Sequence, residues 1–139
     1  MPSKKPFAAK PPEGTVFFID RSLGVDPLRS VLMDEGLAVE IHDEHFPRDE
    51  DDSVWLSAAG ERGWVVLTKD QRLRYRPLEI AALKSSGARV FILVAGNLRG
   101  SEIAEVFKAA LPAMCRVLRG RRRGPFVGRV TKGGRVSVG

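Results

Sequence analysis

With 139 residues and 43% apolar side chains, the chain has the length of one domain, enough to bury roughly two thirds of its unfolded surface without staples. Its single cysteine excludes an intrachain disulfide, no apolar run approaches the about 18 residues of a membrane span, and no leader-like stretch follows the basic N-terminus, so a cytoplasmic protein without membrane association is expected. The net charge of +6 is segregated: residues 116–139 hold eight bases and no acid, leaving fifteen bases against seventeen acids, a net −2, elsewhere, which is a footprint for a polyanion.

Residues 1–13, rich in Pro and Lys, read as a flexible leader. Thr15 to Asp20 is an apolar run of the kind that a strand buried on both faces requires. Asp26-Pro27 starts a helix, with aspartate as N-cap and proline at the first helical position; Leu28, Val31 and Leu32 share a face and Gly36 ends it. Leu37 to His42 alternates as a second strand, and residues 43–51 form an acidic loop around Pro47. Asp52 or Ser53 caps a short helix carrying Val54, Trp55, Ala58 and Ala59, which Gly63 stops.

Trp64 to Thr68 is a third strand, followed by Lys69-Asp70 and a basic turn from Gln71 to Arg76. Pro77 opens a third helix that reaches Ser86 before Gly87, and Ala88 to Val94 is a fourth strand. Ser101 caps a fourth helix whose Ile103, Val106, Phe107 and Ala110 repeat at helical spacing. Cys115, beside Met114, reads as a packing thiol. The alternation predicts an α/β fold of three layers, α/β/α, with a mostly parallel sheet of four to five strands. The domain is expected over residues 14–112, with a basic C-terminal extension over 113–139. There, Pro125 to Val130 and Arg135 to Val138 flank Lys132-Gly133-Gly134 as in a β-hairpin, while the cations equally suit a tail that stays disordered until it binds.

In an open α/β sheet the carboxyl ends of the strands form the ligand crevice, which directs Asp20 and Asp70 toward one site. Two carboxylates about 5 Å apart repel by roughly 3 kcal/mol at an effective dielectric of 20, so such a pair needs a cation or a shared proton. Hard oxygen ligands favour Mg²⁺ or Mn²⁺. Against this, an aspartate after a strand also caps the next turn. Asp52, following Asp49, Glu50 and Asp51, reads first as the end of a solvated acidic loop and second as a third ligand on the first turn of a helix.

Lys69 and Arg72 flank the site, either to hold a phosphate or as plain surface cations. Asn97 faces the same edge as a substrate ligand, or serves the Gly96-Asn97 turn. Arg121-Arg122-Arg123 followed by Phe126 pairs cations with an aromatic side chain, as binders of single-stranded nucleic acid do; an acidic protein, or the acidic loop of a second copy, would suit the same tail. His42 and His45, without cysteines or a downstream ligand cluster, are a weak zinc signal.

Phe17-Phe18-Ile19-Asp20-Arg21-Ser22-Leu23-Gly24, Asp52-Ser53-Val54-Trp55-Leu56 and Gly63-Trp64-Val65-Val66-Leu67-Thr68-Lys69-Asp70, together with the strand at Arg89 to Leu93, resemble the PIN-domain superfamily of metal-dependent nucleases. The likeness is to the PIN-like branch akin to VapC-type toxins of bacterial toxin–antitoxin pairs and covers about residues 15–112. It implies Asp20, Asp52 and Asp70 as catalytic metal ligands for Mg²⁺ or Mn²⁺, RNA phosphodiester hydrolysis as the reaction, and a cognate antitoxin as a partner, alongside a possible homodimer. Many members place a fourth acid two residues beyond the third; here that residue is Arg72, which implies one firmly held ion, with a second recruited by substrate phosphate. Two readings compete: a catalytically weak RNA-binding module of the same fold, and a receiver-like phosphoacceptor domain, which usually pairs acids at the end of its first strand, where Arg21 follows Asp20.

Overall fold

The computed structural model describes residues 10–138, so residues 1–9 of the expected leader lie outside the described residues. Six strands, β1 (Val16–Ile19), β2 (Ala38–Ile41), β3 (Val65–Thr68), β4 (Arg89–Val94), β5 (Phe126–Thr131) and β6 (Val136–Val138), form one sheet in the order β2-β1-β3-β4-β5-β6. All neighbours are parallel except β6, which runs antiparallel to β5. Four helices cover it: α1 (Leu28–Asp34), α2 (Asp52–Glu61), α3 (Pro77–Ser86) and α4 (Gly100–Gly120).

Alternation along the strands divides the core into two. Phe17, Ile19, Val65, Leu67 and Phe91 point to the side of α1 and α4, whereas Phe18, Val66, Val90 and Ile92 point to the side of α2 and α3. These side chains are all within 2% of complete burial, so each central strand is apolar on both faces, and the three expected layers are present.

The C-terminal segment accounts for a sheet of six strands rather than four or five. From Phe126 to Thr131 it pairs residue by residue with Arg89 to Val94, and Phe126 and Val130 enter the core. The hairpin reading of the tail therefore describes its conformation. The boundary expected near residue 112 falls inside α4, which continues through Pro112 to Gly120; Pro112 lies on the exposed side of the helix, where its missing N–H does least harm.

Helix starts differ by small, physical amounts. Asp26 caps α1 from one residue further out, accepting from the Ser30 backbone N–H at 3.2 Å and from its hydroxyl at 2.8 Å. Neither Asp52 nor Ser53 is the N-cap of α2; Asp51 is, without a side-chain cap bond, so Asp52 opens the first turn with its carboxylate free for other partners. At α4 the expected Ser101 cap is replaced by Glu102, whose carboxylate accepts the Arg99 backbone N–H at 2.8 Å. For α3, Pro77 at the start and Gly87 at φ +70° just past the end stand as expected.

Two consequences of this topology position the chemistry. The chain leaves β1 for β2 and returns across it to β3, so the carboxyl ends of β1 and β3 form the switch point where ligands of open α/β sheets bind. The link from α4 to β5, by contrast, lies at the amino edge, because Phe126 stands opposite Arg89. That link is tied to the end of α3: the Phe126 N–H donates to the Ala88 carbonyl at 3.1 Å, and a Cβ on Gly124 would collide with the Gly87 carbonyl oxygen. Among the described residues, no helix is long and apolar enough to cross a membrane.

Candidate active site

Asp20 follows β1 directly, and its backbone N–H donates to the Leu67 carbonyl at 3.0 Å, continuing the ladder with β3. Its side chain is only 6% exposed. One carboxylate oxygen, Oδ2, accepts the Thr68 hydroxyl and the Ser22 hydroxyl, both at 2.7 Å. Each hydroxyl in turn accepts a backbone N–H, Thr68 from Asp70 at 3.0 Å and Ser22 from Lys69 at 3.1 Å. Every polar hydrogen in this knot has a partner, which fixes the Asp20 carboxylate and the turn carrying Asp70 relative to each other. Burial raises the pKa of Asp20 above the usual aspartate value; the Thr68 and Ser22 hydroxyls oppose this, and the negative charge of Asp52 adds to it.

Asp70 caps the 3-10 turn over Gln71–Arg74 by accepting the Arg72 backbone N–H at 3.0 Å. The Arg72 guanidinium closes on the same carboxylate, with Nε 2.9 Å from Oδ1 and Nη2 3.3 Å from Oδ2. Partial burial alone would raise the pKa of Asp70, but the hydrogen bonds and charge of Arg72 outweigh it and hold it low; the same contact raises the pKa of Arg72. Asp52, on the first turn of α2, accepts the Trp55 indole N–H at 3.0 Å and lies 3.9 Å from the Arg76 guanidinium.

The three aspartates thus gather at one edge, but they do not close on a common point: among the described residues, no group of three acid, histidine or cysteine side chains is arranged to hold an ion. Arg72 and Arg76 instead neutralise Asp70 and Asp52. Thr68 was marked in the sequence only as part of the Thr68-Lys69 lead into Asp70, and neither Ser22, Trp55 nor Arg76 was given a role at the site, although a serine two residues after Asp20 was legible as a hydroxyl donor.

Lys69 is exposed beside this site. Asn97 is exposed in the loop after β4 with φ +50°, the left-handed conformation that asparagine tolerates best among larger residues. Arg121, Arg122 and Arg123 are exposed at the amino edge, about 20 Å from the aspartates along a strand as long as β4. His42 is 3% exposed, packed among Phe18, Phe46 and Trp55 with Nδ1 3.1 Å from Asp43, while His45 pairs with Glu40 at 2.6 Å. The two histidines serve separate partners. Arg21, which would have to be an acid in a receiver-like pocket, instead pairs with Asp43 at 2.9 Å.

A family model described as "PIN like domain" matches residues 15–95. A protein of Mycobacterium tuberculosis (strain ATCC 25618 / H37Rv) named "Putative ribonuclease VapC45" is 30% identical over 114 residues, covering 79% of this chain and 81% of that protein. No solved structure matches the chain significantly.

Proposed function

Because the chain belongs to the PIN-like domain family, we propose that it is a divalent-metal-dependent endoribonuclease acting in the cytoplasm, the toxin of a type II toxin–antitoxin pair. The observation that carries this reading is Asp20: a nearly buried carboxylate at the switch point, raised in pKa by burial, with Asp52 close enough to add to the rise. A fold keeps such a group, at a cost in stability, where it is to meet a cation or a proton.

The donor chemistry fits a hard ion in kind, since Asp20, Asp52, Asp70 and the neighbouring Ser22 and Thr68 hydroxyls offer oxygen alone. In this reading Asp20, Asp52 and Asp70 hold Mg²⁺ or Mn²⁺, which supplies, when bound, Lewis acidity toward water and the phosphoryl oxygens. Ser22 and Thr68 keep Asp20 oriented, and Trp55 does the same for Asp52. Arg72, Arg76 and Lys69 present donors that suit the non-bridging oxygens of the scissile phosphate, Arg72 with a planar fork matched to two of them.

Labelled single-stranded RNA incubated with Mn²⁺ and either the wild type or Asp70→Asn tests the reading. Cleavage by the wild type alone is expected; equal cleavage by both removes Asp70 from the site. The grip of Arg72 on Asp70 favours a second reading, an RNA-binding module with little catalysis, for which the wild type would bind RNA and leave it intact at every Mn²⁺ concentration. The toxin role is tested separately by inducing the chain in a growing culture, where arrest by the wild type and none by Asp70→Asn is expected.

A further inference from the structure

Between α3 and the exposed face of β5 runs an open groove of about 470 Å³. Its floor includes Ile80, Leu83 and Val127, and its rim carries three cations, Arg74, Lys84 and Arg129, with no acid among the lining residues. All three cations are exposed. The groove exists because β5 extends the sheet beyond the reach of α3, leaving Val127 half-buried and Arg129 exposed on the side opposite α4.

The ends of this groove are its informative feature. Arg74 stands at the carboxyl edge, in the same 3-10 turn as Arg72, which holds Asp70. Lys84 lies in the last turn of α3, at the amino edge, close to Gly87, whose carbonyl meets Gly124 just after Arg121-Arg122-Arg123. A ten-residue helix such as α3 spans about 15 Å, so the groove joins two cationic regions that the topology otherwise puts on opposite edges. Next to Arg74 in the chain, though outside the groove's lining, Tyr75 is 64% exposed between Arg74 and Arg76, an aromatic face set among cations.

We propose that this groove is the path of a single-stranded RNA leaving the candidate active site, with backbone phosphates on Arg74, Arg129 and Lys84, a base stacked on Tyr75, and the trailing strand delivered to Arg121-Arg122-Arg123. A cationic track with a stacking aromatic is the pattern that non-specific single-strand binders use. Charge decides between occupants: three rim cations without an acid complement a polyanion whose charge repeats along its length, and Tyr75 has use for a base. The proposal rests on RNA being the substrate, and it assigns to the triple arginine a role that its distance from the aspartates would otherwise deny it.

Fluorescence anisotropy without divalent ions separates this path from the question of cleavage. The probe is a labelled single-stranded RNA of about 12 nucleotides, beside a dinucleotide whose single internucleotide phosphate cannot reach along the groove. Lys84→Gln/Arg129→Gln is expected to weaken binding of the longer RNA about tenfold and to flatten the slope of log affinity against log salt by about 1.4, or 0.7 for each lost phosphate contact. The short RNA should be unaffected. Tyr75→Ala should weaken binding while leaving the salt slope unchanged. A control with the same charge loss on α4, Lys108→Gln/Arg116→Gln, both exposed, should change little. Unchanged affinity in the groove variant, or an equal loss in the control, overturns the path, including in the case that an acidic peptide proves to bind there. If the wild type fails to cleave RNA with Mn²⁺ while the groove variant still loses affinity, the nuclease reading falls and the path stands.

Discussion

Arg72 grips Asp70 three times, through its backbone N–H at 3.0 Å, Nε at 2.9 Å and Nη2 at 3.3 Å. A guanidinium so placed satisfies the carboxylate that the candidate site needs for a cation, and it is only the side chain of Arg72 that any ion must displace, since the backbone bond belongs to the cap.

Arg72→Gln should therefore tighten Mn²⁺ binding by about three- to tenfold, because it removes a competing charge from an exposed pair. Titration calorimetry on the full chain reads this directly. Weaker or equal affinity would mean that Arg72 does not compete for Asp70.

Asp20→Asn should abolish cleavage while raising the melting temperature at neutral pH. The carboxylate is buried against its own preference to ionise, and an amide oxygen can still accept both hydroxyls. Each 1 kcal/mol recovered shifts the midpoint by about 2 to 4 °C in a chain of this size. A variant that melts lower in a thermal scan would show that the charge, despite its burial, stabilises the fold.

Thr68→Val should destabilise by about 1 to 3 kcal/mol, because it strips a partner from both the Asp20 carboxylate and the Asp70 backbone N–H. Urea denaturation compares it with Thr68→Ser, which keeps the hydroxyl and should recover most of the difference. Equal losses in the two variants would place the effect in packing of the methyl group.

Asp43 provides the pH dependence. Its hydrogen bond with His42, helped by Arg21, holds its pKa below the ordinary value. A depressed carboxylate contributes stability above its unfolded pKa and loses it as pH falls through the lower folded value. The melting-temperature gap between wild type and Asp43→Asn should be open at pH 7 and should shrink as pH falls below the ordinary aspartate value of about 3.9 and through the lower folded one. A gap that persists in acid would point to shape rather than charge.

The central sheet was readable because β1, β3 and β4 are apolar on both faces and Pro77 and Gly87 mark α3 without ambiguity. The fifth strand was harder to place: Phe126, Gly128 and Val130 alternate with Val127 and Arg129, a pattern that a free hairpin and a sheet extension share, and only the pairing with β4 distinguishes them. Asp20 and Asp70 were visible as strand-ending acids. Their partners were not, since the Arg72 clamp and the contact between Arg76 and Asp52 depend on the path of a short 3-10 turn and on how α2 and α3 begin side by side, neither of which periodicity encodes.

The chain has two tryptophans, and their surroundings make it self-reporting. Trp55 is 1% exposed and donates its indole N–H to Asp52. Trp64 stacks on Phe18, with centroids 5.5 Å apart, and has Arg62 over its ring. In a Trp64→Phe background, ultraviolet emission comes from one indole bonded to one candidate ligand. Arrival of an ion or of RNA at Asp52 then registers as a change in the protein's own fluorescence, without a dye, and on the time scale of a stopped-flow mixer.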